Sequence, residues 1–205
     1  MLKIWGRASS SNVQKVLWCC DELGIGFERI DAGGTFGRTN EPEYLAMNPN
    51  ALVPTVQDGD VVIWESNTIL RYLATTRGGA RLYPTNPAQR TQVERWMDWQ
   101  LQTVTPPMTA LLFGLVRKTP GYTDPKAIAD AREKGLKVWQ ILERSLKDKE
   151  HPAGAFSLAD ITLGMFVYRW FNFGIDPGDL PNVRAWYERL QTRPGYKTHI
   201  MQPIT

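Results

Sequence analysis

Apolar residues at Val13, Val16, Leu17, Cys20 and Leu23 recur three and four positions apart, and Gly24 closes the run, which predicts an amphipathic helix. Ahead of it, LKIWG (Leu2–Gly6) reads as a strand, and FERI after it reads as a second. GGTFGRTN is a glycine-rich loop, followed by a short helix around EPEYLAMN. PTVQDGDVVIWE predicts two short strands around Asp58-Gly59, a dipeptide that favours a tight hairpin. SNTILRYLATT returns to helical spacing. The order over roughly the first eighty residues is therefore βαβ, then α, then ββα.

From Gly78 to Pro87, GGARLYPTNP carries no periodicity and reads as a linker. Nearly everything beyond it is helical. AQRTQVERWMDWQLQTV runs up to Pro106-Pro107, a pair expected to end or kink the helix. DPKAIADAREKGLKVWQILERSLKDK predicts a long amphipathic helix with a Glu133–Lys137 pair on its surface. SLADITLGMFVYRWF is apolar enough to be central, and PNVRAWYERLQTRP closes the core. No internal repeat is visible.

A chain of 205 residues can bury a substantial core as one large domain or two small ones. The 24 basic and 21 acidic residues are spread without a basic block, so nucleic acid is not the expected partner. Cys19 and Cys20 are adjacent in a helical run and point apart, and nothing reads as a zinc site. This cysteine usage fits a reducing, cytoplasmic setting, and no metal is expected. MLKIW enters a strand pattern directly, so no signal peptide is expected. The most apolar stretch, ITLGMFVYRWFNFG, carries Arg169 and is too short to cross a bilayer, so no membrane partner is expected. GGTFG lacks the Gly-Lys-Ser/Thr of a phosphate loop. His151 and His199 have no partner suggesting a triad or a metal ligand.

The candidate chemistry lies at the start of the first helix, in SSSNVQKV. Ser11 and Gln14 form an S-x-x-Q capping box, which makes Ser11 the expected cap. Ser10 is then left free to face a ligand above the helix end, with the Asn12 amide nearby. On chemistry alone the three serines are loop and cap residues. Two further segments change that weighting: NPNALVPTV and WESNTILRYL. A Val-Pro is usually a trans proline opening a strand. A cis bond before Pro54 would instead turn the Val53 N–H and C=O outward for a peptide ligand to pair with. Ser66 stands at a helix start, where free N–H groups attract an anion. Ser157 to Asp160 in FSLADITLG is a capping box whose role is structural.

These three motifs, in this order on a βαβ-α-ββα unit followed by helices, resemble the cytosolic glutathione S-transferases over essentially the whole chain. Within that family the chain looks most like the bacterial theta-like and nu-like branches, because the hydroxyl opens the first helix. The resemblance implies an N-terminal thioredoxin-like α/β domain over residues 1–77, a linker at 78–86 and an all-α domain over 87–205. It implies a homodimer with glutathione as co-substrate. Ser10 is then the catalytic hydroxyl, with Ser11 and Asn12 the other candidates. Val53 and Pro54 receive the cysteinyl unit, Ser66 the γ-glutamyl carboxylate and Glu65 the ammonium. Leu52 occupies a position where theta-like members often carry a basic residue, so the glycyl carboxylate falls to Arg38 or Asn50.

The expected co-substrate pocket draws on Trp96, Trp99, Thr103, Met108 and Phe113, about half of which belong to the core. Asp98 reaches the ligand's amine across a dimer axis, or is a solvated carboxylate. Moving a thiol pKa from ~8.5 to near neutral needs ~2–3 kcal/mol. One hydrogen bond to the thiolate supplies ~1.5–3 kcal/mol, and the helix end adds ~0.3–1 kcal/mol. Transfer of the glutathione thiolate to small hydrophobic electrophiles is the leading function. Glutathione-dependent disulfide or peroxide reduction keeps the same site, made credible by Asn12. A non-catalytic binding module would not need all three segments.

Overall fold

The computed structural model describes all 205 residues. Strand β1 (Leu2–Trp5) leads into helix α1 (Ser11–Leu23) and strand β2 (Phe27–Ile30), then a 3-10 turn at Gly34–Phe36 and helix α2 (Pro42–Met47). Strands β3 (Thr55–Asp58) and β4 (Val61–Trp64) form the expected hairpin, and helix α3 (Ser66–Thr76) follows. The sheet order is β2-β1-β3-β4. Strands β1 and β2 are parallel, with Leu2 opposite Phe27, while β3 runs antiparallel to both β1 and β4. Leu2, Ile4 and Val56 project from the sheet onto Val13, Val16, Leu17 and Cys20 of α1 and Ile69 and Leu73 of α3. The spacing that predicted α1 is the spacing that fills this core.

The remainder is helical: α4 (Pro87–Trp99), α5 (Thr105–Leu111), α6 (Pro125–Ser145), α7 (Leu158–Asn172), α8 (Pro181–Gln191) and α9 (Pro194–His199). No helix is long and apolar enough to cross a membrane. Helix α7 lies at the centre, fully buried for most of its length, and begins at the Ser157/Asp160 capping box as expected. Asp160 is entirely buried, and it accepts from the Ser157 N–H at 2.9 Å and the Trp186 indole at 2.8 Å. His151 Nδ1 lies 2.8 Å from the same carboxylate and His199 Nε2 2.9 Å from Asp21, so both histidines have partners that the sequence did not reveal. The exposed Glu133–Lys137 pair forms at 2.6 Å.

One expectation is corrected, one is narrowed and one helix went unread. The cap of α1 is Ser10, not Ser11: Gln14 N–H donates to the Ser10 carbonyl at 2.8 Å, Ser10 is extended (φ −77°, ψ 124°), and no side-chain capping bond forms. Pro106-Pro107 does not end the long helix. A widened turn at Gln100–Val104, in which Thr105 N–H reaches the Gln100 carbonyl, moves the backbone clear of the proline rings, and α5 starts on them. Helix α9 went unread because its single short turn has no period of its own. It forms because it packs on α1, where Tyr196 sits edge-on to Trp18 at 4.9 Å.

Trp18 joins the two halves of the molecule. Its indole fits only because Gly164 and Gly195 lack side chains: a Cβ there would stand 2.9 Å and 2.7 Å from the ring. The indole N–H donates to Glu22 at 2.9 Å, and Glu22 also takes a two-point ion pair from Arg193. Lys15, wholly buried on the same helix, donates to Asn67 of α3 at 3.1 Å and to Gln100 at 3.3 Å. Tryptophan packing and one buried amine therefore fix how the helical half stands against α1 and α3.

Candidate functional site

A cleft of about 380 Å³ opens between the two halves, with the N-terminus of α1 on one wall and α5, the following turn and α7 on the other. Ser10, Ser11 and Asn12 all line it. Ser10 is only 8% exposed, and its hydroxyl has no protein partner. The N–H groups of Ser11, Asn12 and Val13 open the helix without intrahelical acceptors. An unengaged hydroxyl and three unengaged amides therefore converge where the helix dipole favours negative charge.

A smaller cavity of about 50 Å³ adjoins this cleft, lined by Asn12, Asn50, Val53, Pro54, Glu65 and Ser66 among others. The Val53–Pro54 bond is cis. Neither backbone polar group of Val53 is taken by the protein. The preceding carbonyl, of Leu52, accepts from Tyr44 Oη at 2.6 Å and Asn48 Nδ2 at 2.9 Å, so α2 holds this segment from behind. Glu65 caps α3 in the left-handed region (φ 70°), a conformation that costs about 1–3 kcal/mol in a non-glycine residue and that clusters at ligand sites. Ser66 is buried in the first turn and donates to Asn12 Oδ1 at 3.3 Å, linking the two helix ends.

Other expectations fare differently. Leu52 is exposed and lines the cleft through an apolar side chain. Arg38 is also exposed, in a left-handed turn (φ 66°), and does not line the cleft. Of the proposed co-substrate residues, only Phe113 reaches the cleft. Trp96 is buried with its indole on the Pro152 carbonyl at 3.0 Å, Trp99 packs edge-on against it, and Met108 is in the core. Thr103 does not line the cleft, where Thr105 and Thr109 stand instead. Helical spacing located the apolar stripe, but it could not say which edge of that stripe faces the cleft. Asp98, 65% exposed, pairs with Arg71 of its own chain at 2.8 Å.

The sequence missed three arginines. Arg7 lies between β1 and α1, Arg117 follows the turn after α5, and Arg169 sits in the last turn of α7; all three line the cleft. Arg169 had left a trace as the one charge in the most apolar stretch of the chain. The protein's own thiols do not compete with a ligand thiol. Both are buried; burial pushes the Cys19 thiol well up, and burial followed by the Asp21 charge pushes Cys20 up to about 12.

A thioredoxin-like sheet domain packed on a helical domain, with a helix N-terminus opening into the cleft between them, defines the architecture of a glutathione transferase. Residues 1–75 match the family model of the glutathione S-transferase N-terminal domain and residues 104–194 that of the C-terminal domain. The chain is 39% identical over its full length to the whole of glutathione S-transferase GstB of Escherichia coli K12. It is 31% identical to a probable glutathione S-transferase, GSTF1, of Oryza sativa, over 96% of this chain and 94% of the rice protein. Among solved structures, the glutathione-bound theta class enzyme of Xanthomonas axonopodis pv. citri superposes with a TM-score of 0.93 at 43% identity, covering 100% of this chain and 99% of that one. Glutathione transferase F7 of Populus trichocarpa gives 0.89 at 26% identity, with full coverage of both chains. The chain belongs to the glutathione S-transferase family and is an enzyme of that transferase class.

Proposed function

We propose that the protein binds glutathione along the first wall of the cleft and conjugates its thiolate to small electrophiles held against the second. The carrying observation is the unengaged Ser10 hydroxyl at the N-terminus of α1, inside the cleft. A thiolate above it gains a charge-assisted hydrogen bond of ~1.5–3 kcal/mol. The helix end adds ~0.3–1 kcal/mol, which meets the ~2–3 kcal/mol that a near-neutral thiol requires. In this reading Val53 pairs with the cysteinyl backbone, Ser66 and the free amides of α3 take the γ-glutamyl carboxylate, and Glu65 takes the ammonium. The glycyl carboxylate turns to Asn50 or to Arg7, whose guanidinium packs beside Gly33 on the same wall. The functional division is residues 1–77 for glutathione and 87–205 for the second substrate, joined by 78–86. Strands confined to the first part, and α4 starting at Pro87, support it.

The same reading includes a homodimer built across α4 to α6. It is supported by the exposed apolar residues Val61, Val62 and Trp64 on the edge strand and Leu101 beside α4, and by the buried Nε of Arg71, which has no acceptor within the chain. Sedimentation at micromolar concentration should give twice the 23.3 kDa protomer mass, and a 23.3 kDa species contradicts it.

The test of the chemistry is titration of enzyme-bound glutathione by thiolate absorbance. Ser10→Ala should raise the bound thiol's pKa by about one to two units. If the titration is unmoved, Ser10 is not the activating group; transfer of its role to Asn12→Ala would then favour the disulfide- or peroxide-reducing reading.

A further inference from the structure

Building on that transferase reading, we propose that the second substrate is an anionic electrophile, a small molecule whose carboxylate is received by Arg117 and Arg169 while its apolar body rests on Phe113 and Phe166. Both arginines and both phenylalanines line the wall facing Ser10. No aspartate or glutamate lines the cleft at all. Elsewhere in the chain, Arg29, Arg71, Arg77, Arg132 and Arg193 are each paired with a carboxylate. Arg7 and Arg169 of the cleft are not, and Arg117 meets only an oxygen of Thr205, the last residue of the sequence.

Arg169 is the sharpest case. It is 6% exposed, stands in the last turn of the most buried helix, and makes neither an ion pair nor a hydrogen bond to any protein group. Its guanidinium opens on the cleft with no protein acceptor, so its N–H groups are left to water or to whatever enters. Burial, and after it the charges of Arg117 and Arg7, push its pKa down to about 10. Arg7 is lowered too, by burial first and by Arg117 second. No aspartate or glutamate stands among these cations in the cleft. Arg117 lies over the Phe113 ring at 5.2 Å and donates only to the Thr205 backbone oxygen, at 3.2 Å, so its fork is held at the rim. An anion entering the cleft relieves the repulsion and supplies the missing acceptor, and a planar carboxylate matches the guanidinium fork.

Glutathione itself is a weaker candidate for this pair. Its γ-glutamyl end belongs beside Ser66, and Arg7 stands on the glutathione wall next to Gly33. Arg117 and Arg169 belong to the opposite wall, with the aromatic rings.

The probes are 4-chloro-3-nitrobenzoate and 4-chloro-3-nitrobenzamide, alike in shape and leaving group and differing in charge. In each, the glutathione sulfur bonds to the ring carbon that carries chlorine. The C–Cl pair departs as chloride, and the thiol proton has already gone to solvent. The wild-type enzyme should favour the benzoate in kcat/KM by tenfold or more. Arg169→Gln, and independently the exposed Arg117→Gln, should lower that ratio by roughly tenfold each, about 1.4 kcal/mol, while the glutathione Kd moves less than threefold. Equal kcat/KM for the two probes in the wild type overturns the proposal and leaves the transferase reading standing. A glutathione Kd that rises tenfold or more in both variants also overturns it, because the pair would then be holding the glycyl carboxylate. If 1-chloro-2,4-dinitrobenzene is inert along with both probes, the transferase reading fails and the proposal with it.

Discussion

The two walls of the cleft are built from opposite materials. The wall of α1, α3 and the Leu52–Thr55 segment offers hydroxyls, backbone amides and one carboxylate, each fixed by a helix start or by a bond from α2. The wall of α5 and α7 offers long cations and aromatic rings, with Arg169 held by surrounding core rather than by any partner. The first suits a ligand whose shape never changes, since backbone groups cannot be altered by substitution. The second can change its chemistry one side chain at a time without touching the first. One fold thereby separates the reaction from the choice of substrate.

The seam between the walls gives the largest expected effect. Burial pushes Lys15 down to about 7, with the Glu65 charge acting in the other direction. An unfolded lysine stays protonated to about pH 10.4, so between about pH 7 and 10 the unfolded chain binds the extra proton. Stability therefore rises with pH across that window, by up to about 1.4 kcal/mol per unit, and is flat with respect to this group below it. Urea unfolding of the wild type and Lys15→Met at pH 6, 7.5 and 9 should show their difference changing by roughly 1–3 kcal/mol. A difference independent of pH would mean that the amine stays charged between the walls.

An effect of similar size belongs to the first wall alone. Glu65→Ala removes one charged hydrogen-bond partner of ~1.5–3 kcal/mol, so the glutathione Kd should weaken roughly ten- to a hundredfold by calorimetry. The ratio of the benzoate and benzamide probes should stay where it was. Movement of both together would erase the division of labour between the walls.

The smallest effect separates neighbouring hydroxyls. Ser11 occupies the first helical position and makes no capping bond. Ser11→Ala should therefore change folding stability by no more than about 0.5 kcal/mol and leave the thiol titration in place. A loss near 1–2 kcal/mol would restore Ser11 as the cap.

Much of this was legible in the chain before any coordinates. Periodicity and turn signals located every strand and the helices through α8 except α5, since strand and helix cores leave a pattern of two or of three and four that local sequence must carry. The first wall was equally legible, because Ser10, Val53-Pro54 and Glu65-Ser66 act through local backbone geometry encoded within a few residues. A role within such a segment could still be misassigned. S-x-x-Q pointed to Ser11 as the cap, whereas the turn from Arg7 starts the helix one residue earlier than a cap at Ser11 requires and leaves Ser10 as the extended cap residue.

The second wall was not legible. Arg117 and Arg169 are far apart in the chain and follow no common spacing, and they meet Arg7 of the first wall only because α1 and α7 pack through Trp18 and Gly164. The same packing sent Trp96 and Met108 into the core and Phe113 into the cleft, although all three lie on one apolar stripe. Sequence alone determined the elements, the family and the half of the site made of local turns and helix ends. Tertiary structure decided which charges share a cavity, because an electrostatic field sums over neighbours in space and takes no account of their order along the chain.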